Sequence, residues 1–228
     1  MYVSEIYQSR QGEGLLTGTE SIFVRTSGCN LRCWFCDTPY TSWNPEGQQI
    51  SLDDIESQIS LLDADHVVIT GGEPMIARKM SKLCQRIREL KKHITIETAG
   101  TSYQSLACDL MSISPKLANS TPSLERAGKW HQQHEATRHQ PDIVSRLMSD
   151  YPYQLKFVVD KPEDLSEIDA YLLEFPNVDR SRILLMPQGV EAAELREKSS
   201  WIESSCQESG FQLCPRKHIE WYGNQRGT

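Results

Sequence analysis

Several things are scarce in this sequence, and each shortage excludes a class of protein. No apolar run among the 228 residues approaches the ~20 needed to cross a bilayer, so no membrane-spanning helix is expected. The opening MYVSEIYQSRQGEG lacks the basic segment and apolar stretch of a secretory signal, which points to the cytoplasm. Positive charge is in deficit, 24 Lys+Arg against 31 Asp+Glu for a net charge of −7, which argues against broad capture of nucleic acid or anionic membrane. No repeat, low-complexity tract or linker divides the chain, so a single domain over residues 1–228 is expected. The seven cysteines are an odd number in an expected reducing compartment, which removes a disulfide framework as the leading idea.

What is present alternates in period. Short β-branched runs at 21–26, 66–70, 94–98, 108–114, 153–160, 182–187 and 211–215 read as strands. Between them lie helical patterns. One is opened by Ser51, with Leu52, Ile55, Ile59 and Leu62 on one face; another carries Met80, Leu83, Cys84, Ile87 and Leu90. Further helices are expected at 141–151, from Pro162 onward, and at 191–209 with Gly210 as the stop. Residues 119–140 are polar, contain Pro122 and Gly128, and show no clear period; with the following residues to 150 they read as a loop-rich insertion. Strands alternating with helices imply an α/β fold built on a mostly parallel sheet.

Three of the cysteines, Cys29, Cys33 and Cys36, form C-x3-C-x2-C in GCNLRCWFCDTPY. Three thiolates on one short loop suit a soft metal centre. Structural zinc wants four ligands, and no fourth Cys or His lies nearby; the nearest His is His66, in an expected strand. Electron-carrying iron–sulfur proteins also supply four. Three ligands around a cubane leave one iron open to a cofactor or substrate, while unrelated thiols and zinc stay as minor alternatives. Downstream, the strand at 66–70 ends in GGEP, Gly71–Pro74, a turn signal that also removes side chains where a ligand would approach.

The cysteine spacing, with Phe35 before the last Cys, together with GGEP, resembles the radical SAM superfamily. Within it, RQGEG (10–14), FVRTSGC (23–29), CDTPYTSW (36–43), ITGGEP (69–74), IETAGT (96–101), ISPK (113–116) and HIEWYGNQRGT (218–228) resemble the 7-carboxy-7-deazaguanine synthase family. The resemblance implies an abbreviated partial TIM barrel, (β/α)6-like, acting as a homodimer. It implies conversion of a pterin substrate, 6-carboxy-5,6,7,8-tetrahydropterin, to 7-carboxy-7-deazaguanine with loss of ammonia, on the route to queuosine.

Residue by residue, the resemblance gives Cys29, Cys33 and Cys36 a 4Fe-4S cluster and Thr38 a Mg2+ ion. S-adenosylmethionine would meet Phe35, Cys36, Asp37, Gly72, Glu97, Ser114, Pro115 and Lys116. The pterin would meet Arg10, Gln11, Gly12, Glu13, Arg25, Thr70 and His218. In that set Arg25 suits a carboxylate, Glu13 an amidine-like edge, and His218 closes the site. The family's terminal WGN departs here to Trp221-Tyr222-Gly223-Asn224, and Met75 after GGEP has no argued role.

Other features read as ordinary. Cys84, Cys108, Cys206 and Cys214 are expected to be passive, and His131, His134 and His139 to lie on a solvated loop. Arg78, Lys79, Lys82, Arg86, Arg88, Lys91 and Lys92 form a basic run, read as a solvated face or as a docking patch for an acidic, flavodoxin-like electron donor. Two competing readings remain. A glycyl-radical activating enzyme shares the cysteine loop but not RQGEG or GNQRG, and a redox-sensing metal module leaves GGEP unexplained.

Overall fold

The computed structural model describes residues 1–228. Nine strands form one sheet: β1 (Tyr2–Arg10), β2 (Glu20–Thr26), β3 (Gln48–Gln49), β4 (His66–Gly71), β5 (His93–Thr98), β6 (Leu110–Ile113), β7 (Tyr153–Val159), β8 (Ile183–Pro187) and β9 (Gln212–Leu213). Their spatial order is β3-β1-β2-β4-β5-β6-β7-β8-β9. From β2 to β9 every pairing is parallel, while β1 runs antiparallel to both β2 and β3. The sheet does not close on itself, and the six strands β2, β4, β5, β6, β7 and β8 are the truncated-barrel core that the resemblance implied. These strands are buried along most of their length, as covered parallel strands must be, and hence read as apolar runs.

The helices are α1 (Pro39–Ser42), α2 (Leu52–Ser60), α3 (Met80–Glu89), α4 (Leu124–Ala127), α5 (Lys129–Arg138), α6 (Pro141–Asp150), α7 (Asp164–Leu172), α8 (Ala192–Ser209) and α9 (Lys217–Tyr222). Ser51 caps α2 as expected, its Oγ accepting the Asp54 amide at 3.0 Å. Gly210 ends α8 in the left-handed region. α2, α3, α6, α7 and α8 send their apolar stripes into one core with the strands, and Met75 is buried in it too. No helix is long and apolar enough to cross a membrane.

The structure corrects the sequence reading in three places. Residues 119–140 are not a loop: Ser123 caps α4, Gly128 with φ of 53° joins it to α5, and both helices are well formed. Their apolar period is absent because α5 buries one side chain, and that side chain is His134, which is therefore not solvated. Strand β1 was missed because it is only half-buried and carries Ser, Glu and Gln among its apolar residues. Cys108 and Cys214 lie just outside β6 and β9 rather than within them. All seven cysteines are free thiols.

Candidate active site

A cavity of about 500 Å³ opens at the carboxyl ends of the parallel strands, the end where α/β barrels bind their ligands. Its lining holds Cys29, Cys33, Phe35, Cys36, Asp37, Thr38, Gly72, Glu97, Ser114 and Lys116 together with Arg10, Gln11, Gly12, Glu13, Arg25, Thr70 and His218. Of the residues named from sequence only Pro115 lies outside the lining, leaving its neighbours to face the cavity. One loop after β1, six strand ends and the C-terminal segment thus converge from positions more than 200 residues apart in sequence.

The cysteine loop leaves β2 at Gly28. Burial pushes the Cys29 and Cys33 thiols up to about 12, and burial with the neighbouring Asp37 charge raises Cys36 as well. Filling the site with metal therefore displaces three protons. Cys36 Sγ lies 3.2 Å from Ser42 Oγ and 3.9 Å from Thr38 Oγ1. No set of three His, Cys, Asp or Glu side chains converges as a single metal ion requires. A cubane takes one thiolate on each of three irons and so spreads its ligands apart. Three separated thiols on one loop, beside a cavity, fit that group.

GGEP also forms a close joint within the protein. A Cβ on Gly72 would overlap the Gly28 carbonyl and stand 2.8 Å from the Thr41 carbonyl, and one on Gly71, at φ of 126°, would overlap Thr26. The space left by the missing side chains is filled by the protein's own backbone, which seats the cysteine loop against the end of β4. Glu73 completes the joint. Its buried carboxylate accepts the Met75 amide at 2.9 Å, the Thr98 hydroxyl at 2.7 Å and the Ala99 amide at 2.7 Å. Burial still holds its carboxyl above the usual range.

Among the polar residues, Glu97 accepts from Thr70 Oγ1 at 2.7 Å and from Gln11 Nε2 at 3.2 Å. Both partners belong to the set matched to the pterin. Arg25 donates through Nε to Glu5 at 2.6 Å and through Nη2 to the Tyr7 hydroxyl at 2.7 Å. Two of five guanidinium N–H groups are used, which orients the fork and leaves three for a ligand carboxylate. Arg10 packs over the Trp221 ring at 4.6 Å and donates to Tyr222 Oη at 3.2 Å. Lys116 Nζ is held at Ser114, 2.6 Å from its carbonyl and 2.7 Å from its hydroxyl. Gly12 packs directly on His218, where any side chain would collide.

Glu13 is engaged by the protein's own cations. One of its oxygens is taken by Lys156 and the other accepts Arg216 Nε at 3.1 Å. Arg216 also pairs with Asp37 and donates to the Gly189 carbonyl. Burial would raise the Glu13 and Asp37 carboxyls, but these cations overcome it and hold both below the usual range. Burial would likewise lower Lys156, yet the facing Glu13 carboxylate keeps it above its ordinary value. His218 is lowered by burial. Sequence reasoning missed Lys156, Arg216, Gln188 and Gly189, which line the cavity; the terminal residues 224–228, part of the family-matching HIEWYGNQRGT segment, line it too. The available signal was Lys156 itself, a lone charge inside the apolar run YQLKFVV.

The basic run is partly neutralised. Arg86 pairs with Asp53 and Glu56, Arg88 with Asp109, and Lys92 Nζ donates to the Ala64 carbonyl, leaving Arg78, Lys79, Lys82 and Lys91 without ion pairs.

Comparison with known proteins agrees with this geometry. The family model described as the radical SAM superfamily matches residues 23–124. The chain is 44% identical to a 7-carboxy-7-deazaguanine synthase of Rhodopirellula baltica, over 100% of this chain and 89% of that protein. It is 43% identical to the synthase of Halobacterium salinarum, over 99% of this chain and 92% of that protein. The crystal structure of QueE from Escherichia coli shares the fold, with a TM-score of 0.73 at 23% identity over 95% of this chain and 94% of that one. The chain belongs to the 7-carboxy-7-deazaguanine synthase family of the radical SAM superfamily.

Proposed function

We propose that the chain converts 6-carboxy-5,6,7,8-tetrahydropterin to 7-carboxy-7-deazaguanine with release of ammonia, a step of queuosine biosynthesis. The observation that carries the reading is the convergence, on one cavity, of the three-cysteine loop, the GGEP joint and the RQGEG polar set. Membership of the family implies a 4Fe-4S cluster and S-adenosylmethionine, which when bound supply hydrogen-abstracting radical chemistry. Cys29, Cys33 and Cys36 would hold the cluster, with Gly72, Ser114 and Lys116 beside the cofactor.

The chain's own residues then bind and orient. Arg25, steadied by Glu5 and Tyr7, offers its free N–H groups to the substrate carboxylate. Thr70, Glu97 and Gln11 form a linked donor–acceptor row for the pterin's polar edge. Lys156, Glu13, Arg216 and Asp37 bind each other instead, and fix the wall that excludes water. Thr38, on the cysteine loop and facing the cavity, is the protein oxygen suited to Mg2+, a hard cation that keeps most of its ligands from substrate and water.

Two coarser matters complete the reading. A homodimer is the expected assembly, and an acidic flavodoxin-like protein the expected electron donor, for which Arg78, Lys79, Lys82 and Lys91 supply unpaired positive charge. Seven free thiols suit the cytoplasm.

The test is anaerobic. Reconstituted protein, dithionite, S-adenosylmethionine, Mg2+ and the carboxytetrahydropterin should yield 7-carboxy-7-deazaguanine by mass spectrometry, with less turnover when Mg2+ is omitted. Cys36→Ala should abolish both cluster absorbance and product. Intact cluster and cofactor cleavage without that product would overturn the assignment.

A further inference from the structure

The segment from Ala118 to Arg138 has no role in the reading above, yet its polar groups are directed at the cysteine loop. His134, fully buried, accepts the Arg32 amide on Nδ1 at 3.1 Å. Its Nε2 stands 2.9 Å from Ser120 Oγ, and that hydroxyl donates to the Leu117 carbonyl at 2.7 Å. The hydrogen bonds fix the tautomer. Nδ1 accepts, so Nε2 carries the proton and donates to a serine whose own hydrogen is already committed.

Four more contacts reach the same loop. The Ser120 carbonyl accepts the Trp34 amide at 3.1 Å, and the Asn119 carbonyl accepts the Trp34 indole N–H at 2.6 Å. Arg126 Nη1 donates to the Trp34 carbonyl at 3.0 Å. The Arg32 guanidinium lies 3.6 Å from the Trp130 ring centroid while donating to the Cys29 carbonyl at 2.8 Å and the Leu31 carbonyl at 2.7 Å. Outside that segment, the Trp43 indole donates to the Cys33 carbonyl at 2.9 Å, Asn30 exchanges side-chain hydrogen bonds with Thr101, and Arg216 pairs with Asp37. A backbone that carries three metal ligands and forms neither helix nor strand must find partners for its peptide groups elsewhere. Of the four partners that the peptide groups of residues 29–37 find outside the loop, three come from this one segment.

We propose that residues 118–138 are a clamp that holds the cysteine loop in its cluster-accepting shape, with His134 as the central positioning residue. The inference rests on the family reading only for the identity of the group the cysteines hold. It accounts for the absence of an apolar period in α5: that helix presents the His134 imidazole and the Trp130 indole to the loop, and Arg126 of α4 adds a guanidinium. Outer-shell partners of metal ligands typically contribute about 10- to 100-fold in metal affinity, which sets the size of the expected effect.

The test measures cluster retention, with no turnover required. Wild type, His134→Ala, His134→Asn and Arg126→Ala are reconstituted anaerobically, and cluster loss to a ferrous chelator is followed by absorbance. Thermal melting of each apo protein reports folding separately. His134→Ala should lose cluster at least about tenfold faster, and the reduced-cluster paramagnetic resonance spectrum should broaden. Asn can present Oδ1 to the Arg32 amide, so His134→Asn should recover most of the retention. Arg126→Ala alters an exposed side chain and should accelerate loss by a smaller factor without lowering the melting temperature, which keeps the test sound if His134→Ala fails to fold. Wild-type loss rates in His134→Ala and Arg126→Ala, or Asn no better than Ala at equal folding, would overturn the clamp. A wild-type protein that takes up no cluster would overturn the family reading as well.

Discussion

At the scale of single residues, the pairing of Arg216 with both Glu13 and Asp37 has the most at stake. Glu13, Lys156 and Arg216 are largely buried while Asp37 is more exposed, so removing Arg216 leaves Glu13 with Lys156 alone and Asp37 with water. Arg216→Met should therefore lower stability, by less than the about 3–5 kcal/mol of a fully buried pair broken from one side. The pH dependence follows in sign. Glu13 and Asp37 are held below their unfolded values of about 4.3 and 3.9, so the stability they contribute is present above those values. It is lost as pH falls through the lower folded values. Without Arg216 the depression shrinks, and the acid limb of unfolding should begin at higher pH. Urea titrations of apo protein between pH 3 and pH 7 would read both effects; an unchanged midpoint at neutral pH with an unmoved acid limb contradicts them.

At the scale of elements, the joint between β4 and the cysteine loop is backbone against backbone, so its tolerance is small. Gly72→Ala forces a methyl group into the Gly28 and Thr41 carbonyls. Overpacking of this kind costs about 1–3 kcal/mol where side chains can yield, and peptide groups yield less. The variant should show a lowered urea midpoint together with reduced iron uptake; full uptake at wild-type stability would mean the loop is free to move aside.

The elements also show what a sequence displays and what it hides. Strands β4 to β8 and helices α2, α3 and α8 were legible because burial imprints an apolar period on them. Strand β1 and helices α4 and α5 are held by polar contacts, which leave no period. The same division runs through the site. C-x3-C-x2-C and GGEP are local and were read directly. The partners of Glu13 are not, since Lys156 and Arg216 lie 143 and 203 residues away in sequence and meet it only through the fold.

At the scale of the whole molecule, the sheet gathers its ligand-facing residues at one end, and the chain's last residues return there. Residues 224–228 line the cavity. Arg226 anchors them, donating to Glu5 at 3.2 Å, Glu46 at 2.9 Å and Ser4 at 3.0 Å while lying 4.0 Å from the Tyr40 ring centroid. Glu5 is also the residue that orients Arg25, so the tail and the guanidinium proposed to hold the substrate carboxylate share one anchor. None of the Arg226 hydrogen bonds goes to the cysteine loop. Deleting residues 224–228 should therefore separate two properties that a general loss of structure would move together. The KM for the pterin should rise about tenfold, equivalent to ~1.4 kcal/mol of binding. Cluster content and cleavage of S-adenosylmethionine in the absence of substrate should stay at wild-type values. An unchanged KM would show that the tail covers the cavity without serving it, and a parallel loss of cluster would show that it supports the fold instead.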